Sequence, residues 1–212
     1  MKHQVYYHTS GQTFSCRRFA AQLRRLTPSG RPVLILCIGS DRSTGDSLGP
    51  LIGYKLKETP LRAMSVLGTL SCPVHAVNLE DTLEKISLRK DRPFIIAVDA
   101  SLGHPEHVGC ITLSNSSLQP GLGLGKSLPA VGHISITGIV GALGSEGMAQ
   151  LQNVRLSLVM ELADCIASGL LEAYSAPAPS TGAKFYRPQS LRKWWPHTPA
   201  PKFPAERPAV HK

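Results

Sequence analysis

The chain has 212 residues, of which 42% are hydrophobic, and carries a formal net charge of +9. This length predicts one globular domain with tails. The sequence contains no long apolar run, and its first residues, MKHQVYYHTSGQTF, contain no apolar core, so we expect neither a transmembrane helix nor a secretory signal. The five cysteines form no C-x-x-C pair, which argues against a disulfide framework or a zinc knuckle and fits a cytoplasmic protein.

The positive charge is concentrated at the two ends of the chain. Residues 1–31 carry six Lys/Arg and no acid, and residues 176–212 carry seven Lys/Arg and one Glu. The middle of the chain has ten basic and thirteen acidic residues. A folded nucleic-acid reader has its basic patch on the domain itself. The charge distribution therefore argues against nucleic acid as a partner.

The predicted elements in chain order alternate between helix and strand. Helices are predicted at 14–26, 48–58, 79–88 and 148–171, and strands at 33–38, 65–67, 94–98, 108–113 and 134–140, with 108–113 as an edge strand. This order predicts a three-layer α/β/α sandwich around a mostly parallel sheet.

Three segments follow from this pattern: a flexible N-terminus at 1–13, a single α/β domain at 14–175, and a tail at 176–212. The tail holds eight of the seventeen prolines and no apolar periodicity, so it is predicted to be disordered. Its Trp194-Trp195 pair beside two basic residues suits a peptide, membrane or nucleic-acid partner, whereas a solvated tail without a partner is the alternative.

Two acidic residues follow the two most apolar strands of the predicted sheet. Asp46 ends the loop after strand 33–38, and Asp99 comes directly after strand 94–98. Because parallel strands end at one edge of a sheet, the two carboxyl groups are expected to lie close together. Such a pair can share a proton and activate water against an amide, or hold a cation. Capping of a helix by Asp46 and of a turn by Asp99 are the structural alternatives.

His133 is the histidine of most interest, because it stands between a glycine-rich loop and the last predicted strand. With Asp46 and Asp99 it would form a carboxylate–carboxylate–histidine set that suits a divalent metal. An exposed loop histidine is the alternative interpretation.

The glycine-rich loop has glycines at every second position, namely Gly121, Gly123 and Gly125, followed by Lys126. The loop lacks the strand-to-helix context of a dinucleotide site, but it could close over a site as a lid. Lys126 could polarise a carbonyl group, or simply be solvated.

Several strings in the right order resemble the spore protease YyaC family (DUF1256), a sporulation-associated group, over about residues 15–172. They are CIGSDRSTGDSLGPLIGYKLK, GTLSCPVHAVNLEDTLEKI, PFIIAVDASLG, VGCITL, LQPGLGLGKSLPAVG, SITGIV and LQNVRLSLVM. That family is similar to the germination protease that degrades small acid-soluble spore proteins, and more distantly to the hydrogenase-maturation endopeptidases. The resemblance implies a three-layer, phosphorylase/hydrolase-like fold and places the catalytic aspartates of the germination protease at Asp46 and Asp99.

The resemblance leads to three hypotheses about function. The first is a sporulation-associated endopeptidase in the forespore or mother-cell cytoplasm, without a cofactor. In it Asp46 and Asp99 are catalytic, and Gly121, Gly123, Gly125 and Lys126 bind a peptide or protein such as a small acid-soluble spore protein. The second is a nickel- or zinc-dependent maturation-type peptidase that uses Asp46, Asp99 and His133. The third is a non-enzymatic sporulation factor that binds a protein partner. A second copy of the chain is a further candidate partner, which would make the protein a homo-oligomer.

Overall fold

The computed structural model describes residues 5–9, 15–58, 64–121, 128–144 and 147–174. The strands are β1 (Val5–Thr9), β2 (Val33–Cys37), β3 (Met64–Leu67), β4 (Phe94–Gly103), β5 (Cys110–Ser114) and β6 (Ile134–Ala142). The helices are α1 (Cys16–Leu26), α2 (Leu48–Lys57), α3 (Leu79–Ser87), α4 (Gly147–Gln152) and α5 (Leu156–Tyr174). All of them lie within one unit that spans Met1–Ala176.

The six strands form one sheet in the order β1-β5-β6-β4-β2-β3. Strands β6, β4, β2 and β3 are parallel, whereas β5 pairs antiparallel with both β6 and β1. Strand β2, between β4 and β3, is apolar at every position and fully buried, as expected for a parallel strand that is covered on both faces. The parallel part of the sheet therefore has a single carboxyl edge, at which the chain leaves β2 and β4.

Helices cover both faces of the sheet, which confirms the predicted three-layer sandwich. On one face, buried residues of α1, α2 and α5 pack with Val33, Ile35 and the facing residues of β4 and β6. On the other face, Leu79 and Ile86 of α3 pack against Leu34 and Leu36 of β2. The alternation along β2 thus divides the apolar core between the two helical layers.

Helix α2 lies unusually close to the sheet because glycines form the contact. A Cβ atom on Gly53 would overlap the carbonyl oxygen of Gly68, and one on Gly49 would overlap that of Ile38. Gly68 itself has a φ of 84°, a left-handed conformation that favours glycine. This contact fixes the first turn of α2 against the carboxyl edge of β2.

The structure corrects four predictions about the elements. Residues 5–9, predicted as part of a flexible N-terminus, form β1, which pairs with β5 more than a hundred residues away in sequence. For the same reason the strand predicted at 108–113 as an edge strand is β5, which lies between β1 and β6. The strand predicted at 94–98 extends to Gly103, because β6 continues beside it.

The fourth correction concerns the last helix, predicted as one element over 148–171. It is two helices, α4 and α5, with a break at 153–155. In a continuous helix the carbonyl oxygen of Leu151 would accept the amide of Arg155. Here it accepts the amide of Gly45 at 2.8 Å instead. The break therefore frees a carbonyl group that holds the loop after β2.

No helix in the described part of the chain is both long and apolar enough to cross a membrane. The predicted tail 176–212, including Trp194-Trp195, lies outside the described residues.

Candidate active site

The loop between β2 and α2, residues 39–46, is held in place by backbone hydrogen bonds on several sides. The Gly39 amide donates to Val74 O at 2.8 Å, the Ser40 amide donates to Asp46 O at 3.2 Å, and the Gly45 amide donates to Leu151 O. Gly39 has a φ of 135°, and a Cβ atom there would overlap Asp46 O. These contacts give Asp46 a defined backbone position before any substrate binds.

Asp46 lies two residues before α2 and one residue before its N-cap position. The N-cap residue is Ser47, whose buried hydroxyl donates to Thr44 O at 2.7 Å. The Asp46 side chain is half-buried. Its position at the start of α2 places a negative charge at the positive end of the helix dipole, which is electrostatically favourable.

Asp99 lies within β4, one residue beyond the pair that Val98 forms with Cys37 of β2. Its carboxyl group is buried, with 8% of the residue exposed. One carboxyl oxygen, Oδ1, accepts the Ala100 amide at 2.7 Å. Asp99 is thus a buried acid at the carboxyl edge of the sheet, rather than a residue that caps a turn.

The two aspartates interact electrostatically. Burial and, as the second cause, the negative charge of Asp46 hold the pKa of the Asp99 carboxyl well above its usual range, whereas the Ala100 amide acts in the opposite direction. A raised pKa at a buried acid beside a second carboxylate is a pattern typical of active sites. The pair can therefore hold one proton, for which the raised pKa of Asp99 favours that residue.

His133 does not join this pair, although the sequence suggested that it might. It precedes β6 and lies opposite Ile95, at the amino edge of the sheet, whereas Asp99 lies opposite Thr137. Four residues of strand separate the two positions, or about 13 Å. The prediction that His133 lies beside the two aspartates was therefore wrong. The strand direction predicts its true position, since the residue before a parallel strand lies at the amino edge of the sheet.

The His133 ring has a structural setting of its own. Its Nδ1 accepts the Ile95 amide at 3.0 Å, and the ring stacks on Phe94 with centroids 4.7 Å apart. The neutral ring must then carry its hydrogen on Nε2, which lies 3.3 Å from an Arg31 nitrogen that is also a donor. Burial, and then the Arg31 charge, lower the pKa of His133.

The donor set does not fit the metal hypothesis. Within the described ranges, no group of three or more His, Cys, Asp or Glu side chains could hold a metal ion. Asp46 and Asp99 supply carboxylates, but the predicted third ligand, His133, is at the opposite edge of the sheet.

Of the predicted substrate-binding residues, only Gly121 lies within the described chain, whereas Gly123, Gly125 and Lys126 lie outside it. Gly121 has a φ of 70°. The two flanks of the loop pair with each other, since Leu118 and Val131 exchange backbone hydrogen bonds of 2.7 and 2.8 Å. Both residues pack with Ala97, two positions before Asp99 on the same face of β4. The base of the glycine-rich loop therefore lies on the face that Asp99 shares.

Sequence reasoning did not identify three hydroxyl groups near the site. The Ser43 hydroxyl is buried in the Asp46 loop, with no hydrogen-bond partner in the part of the chain that the structure describes. Thr137 lies beside Asp99 in β6, and its hydroxyl is 2.7 Å from that of Thr112 in β5. The alternating polarity of residues 110–114 and 135–138 was the available signal for the threonines.

A family model and a curated relative agree with the resemblance in the sequence. The family model described as "Protein of unknown function (DUF1256)" matches residues 6–169. "Uncharacterized protein YyaC" of Bacillus subtilis (strain 168) is 50% identical over 142 residues, which cover 67% of this chain and 69% of YyaC. Among solved structures, the [NiFe] hydrogenase maturation protease HycI from Thermococcus kodakarensis KOD1 matches 73% of this chain and 99% of its own, with 18% identity and a TM-score of 0.48. The family match covers most of the chain, and on this evidence the protein belongs to the DUF1256 family.

Proposed function

We propose that the protein is a peptidase that hydrolyses peptide bonds with the pair Asp46 and Asp99. The observation that carries this proposal is the setting of Asp99, a buried carboxyl group at the carboxyl edge of the sheet whose pKa is raised by burial and by Asp46. A fold needs no such acid for stability, because a buried carboxyl group opposes folding when it ionises. Two carboxyl groups with different protonation states are what general acid–base hydrolysis requires.

The different settings of the two aspartates support different roles in the proposed reaction. Asp46, the charged and more exposed member, takes a proton from a water molecule, whose oxygen attacks the carbonyl carbon of the scissile amide. Asp99 gives its proton to the carbonyl oxygen, which produces a neutral tetrahedral diol. On collapse, Asp46 passes its proton to the leaving nitrogen and Asp99 recovers a proton from a diol hydroxyl. One amide and one water give a carboxylic acid and an amine, and both aspartates return to their starting states.

The resemblance to the germination protease supports the substrate class. We propose that the substrates are proteins or peptides of the spore, with small acid-soluble spore proteins as the first candidates, and that cleavage takes place in the forespore or mother-cell cytoplasm. The base of the glycine-rich loop, on the Asp99 face, supports a role for Gly121 and the residues that follow it at the substrate cleft.

The proposal is tested by incubating the purified chain with small acid-soluble spore proteins and with a spore-lysate peptide pool, with and without a chelator. Asp46→Asn and Asp99→Asn are assayed beside it, with Asp41→Asn as the matched control because Asp41 is an exposed carboxylate on the same loop. We expect cleavage that survives the chelator, persists in Asp41→Asn and falls by at least about a thousandfold in the other two variants, as for a lost general acid or base. Full cleavage by either site variant would contradict the assignment, and loss with chelator would replace it with a metal-dependent reaction.

A further inference from the structure

The sheet face that carries Asp99 changes character along a single row of residues. Across the strands, this row runs from Val74 and Ile38 through Asp99 to Thr137 and Thr112. Val74 and Ile38 are apolar, buried and packed in the core beneath α3. Thr137 and Thr112 are half-buried and bear hydroxyl groups. Asp99 thus lies where an apolar, covered surface meets a polar, partly open one.

A second row of hydroxyl groups lies beside the first. Ser135 of β6 is two residues before Thr137 on the same face, and it pairs in register with Ser114 of β5. We call Thr137, Thr112, Ser135 and Ser114 the hydroxyl strip. Ser135 is buried, with 6% of the residue exposed, and the Ser114 hydroxyl lies 2.7 Å from that of Ser116, so the half-buried threonines are the members that a bound molecule can reach. The hydroxyl strip extends from Asp99 across β6 and β5, on the side of Asp99 that faces away from α3.

The two threonines of the hydroxyl strip have hydrogen-bonding capacity that the described part of the chain does not use. The Thr112 and Thr137 hydroxyls lie 2.7 Å apart, so one of them donates to the other. A hydroxyl group has one hydrogen and two lone pairs. Each threonine hydroxyl has only this one bond within the described residues, so one hydrogen and several lone pairs remain available to a bound molecule. Asp99 is also only partly satisfied, because the Ala100 amide is its one hydrogen-bond partner among those residues.

We infer that the hydroxyl strip binds the backbone of the polypeptide substrate and leads its scissile bond to Asp99; this inference depends on the proposed function. Neutral hydroxyls match the peptide group, which offers one N–H donor and one C=O acceptor per residue. They carry no charge to select an ionic ligand, and the negative charge of Asp46 disfavours an anion there. Thr137 is the nearest member to Asp99 and therefore binds the residues next to the cleaved bond.

The test removes each hydroxyl while keeping the side-chain shape. Thr137→Val, Thr112→Val and the double variant are compared with Thr82→Val, whose hydroxyl donates to Asn78 O at 2.7 Å in the helix-start region of α3, away from the strip. Cleavage of a small acid-soluble spore protein gives kcat and KM. Binding is measured by fluorescence anisotropy in the Asp99→Asn background, with that protein and with β-casein as fluorescein-labelled probes. Thermal unfolding reports whether each variant is folded.

We expect Thr137→Val and Thr112→Val each to raise KM and Kd by about 3- to 10-fold with little change in kcat, as for loss of one uniformly bound hydrogen bond. Binding of β-casein should weaken similarly, because the strip recognises backbone groups. Thr82→Val should leave both constants unchanged. Folded strip variants with unchanged KM and Kd would overturn the inference and leave the proposed function intact.

The two proposals fail in distinguishable ways. If the natural chain cleaves nothing, but probe binding is present and weakens in the strip variants, the strip binds polypeptides and the peptidase assignment is wrong. If neither probe binds, the inference is overturned whatever the cleavage result.

Discussion

Asp99 places an ionisable group where the fold opposes its ionisation. In the unfolded chain an Asp has a pKa of about 3.9, whereas burial and the charge of Asp46 raise the pKa of Asp99 in the fold. Above pH 3.9 the unfolded chain has released a proton that the folded chain still holds, so stability falls as pH rises. The contribution of protonated Asp99 to the free energy of unfolding is fully present below about pH 3.9. It is lost as the pH rises through the pKa that Asp99 has in the folded protein.

From this we predict that Asp99→Asn stabilises the protein, and increasingly so as pH rises. Asn cannot ionise, so the variant lacks the loss of stability that the natural chain shows. Each kcal/mol gained should raise Tm by about 2–4 °C. Thermal unfolding of both proteins from pH 4 to pH 8 measures the difference. Asp46→Asn should keep part of the natural slope, because burial, the larger cause, remains.

Asp41→Asn is the matched control for the loss of one carboxylate, since Asp41 is exposed on the loop. Its profile should follow the natural chain. An Asp99→Asn variant that is less stable than the natural chain at pH 8 would show that the charged carboxyl group has a stabilising partner, and would count against its role as the protonated member of the pair.

At the scale of elements, the site depends on how closely α2 approaches the sheet. Gly53 of α2 touches the carbonyl group of Gly68, which follows β3, while the start of the same helix holds Asp46 at the edge of β2. A side chain at the glycine contact must push the helix outward, and the first turn of α2 would move with it. The glycine contact and the position of Asp46 are therefore coupled through one rigid element.

We predict that Gly53→Ala lowers the free energy of unfolding by about 1–3 kcal/mol, as for overpacking of a dense interior. Cleavage should fall as well, since Asp46 moves relative to Asp99. Gly144→Ala is the control, because among the described residues its Cβ atom would meet only the Gln150 side chain, at 3.4 Å; it should change stability by less than about 0.5 kcal/mol. Urea unfolding and the cleavage assay measure both effects, and a fully stable Gly53→Ala would refute the tight contact.

The site could be predicted from the sequence to the extent that it follows from local patterns. Asp46 and Asp99 each follow a buried apolar run, and parallel strands bring such positions to one edge of the sheet. The proximity of the two aspartates could therefore be predicted from the sequence. The hydroxyl strip could not be predicted from the sequence, because it depends on the register between β5 and β6, which the strand patterns do not specify. Strand β1 was missed for a related reason, since its partner β5 is distant in sequence.

At the scale of the whole molecule, the sandwich was predictable because helices and strands alternate along 14–175. The break between α4 and α5 was not predictable, because periodicity continues across it and the competing partner of Leu151 is Gly45, in a loop a hundred residues earlier. Where a tertiary hydrogen bond replaces a helical one, the local pattern carries no sign of it.

Most of the net positive charge of the chain lies in the tail rather than in the domain. Residues 177–212 carry seven basic residues and one acidic residue, so their removal would reduce the net charge from +9 to +3. This segment has no apolar periodicity that would allow it to pack against the core. A chain that ends at Ala176 should therefore keep its Tm within about 2 °C and retain its cleavage activity.

This truncation also discriminates between a peptidase and a recruitment factor. The Trp194→Ala/Trp195→Ala double variant of the full chain removes the aromatic pair while keeping the charge. It therefore distinguishes binding of a partner through the aromatic side chains from binding through the positive charge of the tail. Because all the groups assigned to catalysis lie in Met1–Ala176, cleavage in vitro should be equal in the three proteins. A truncated chain that is folded but inactive would show that the tail completes the site, whereas a lower Tm would show that the tail packs on the domain.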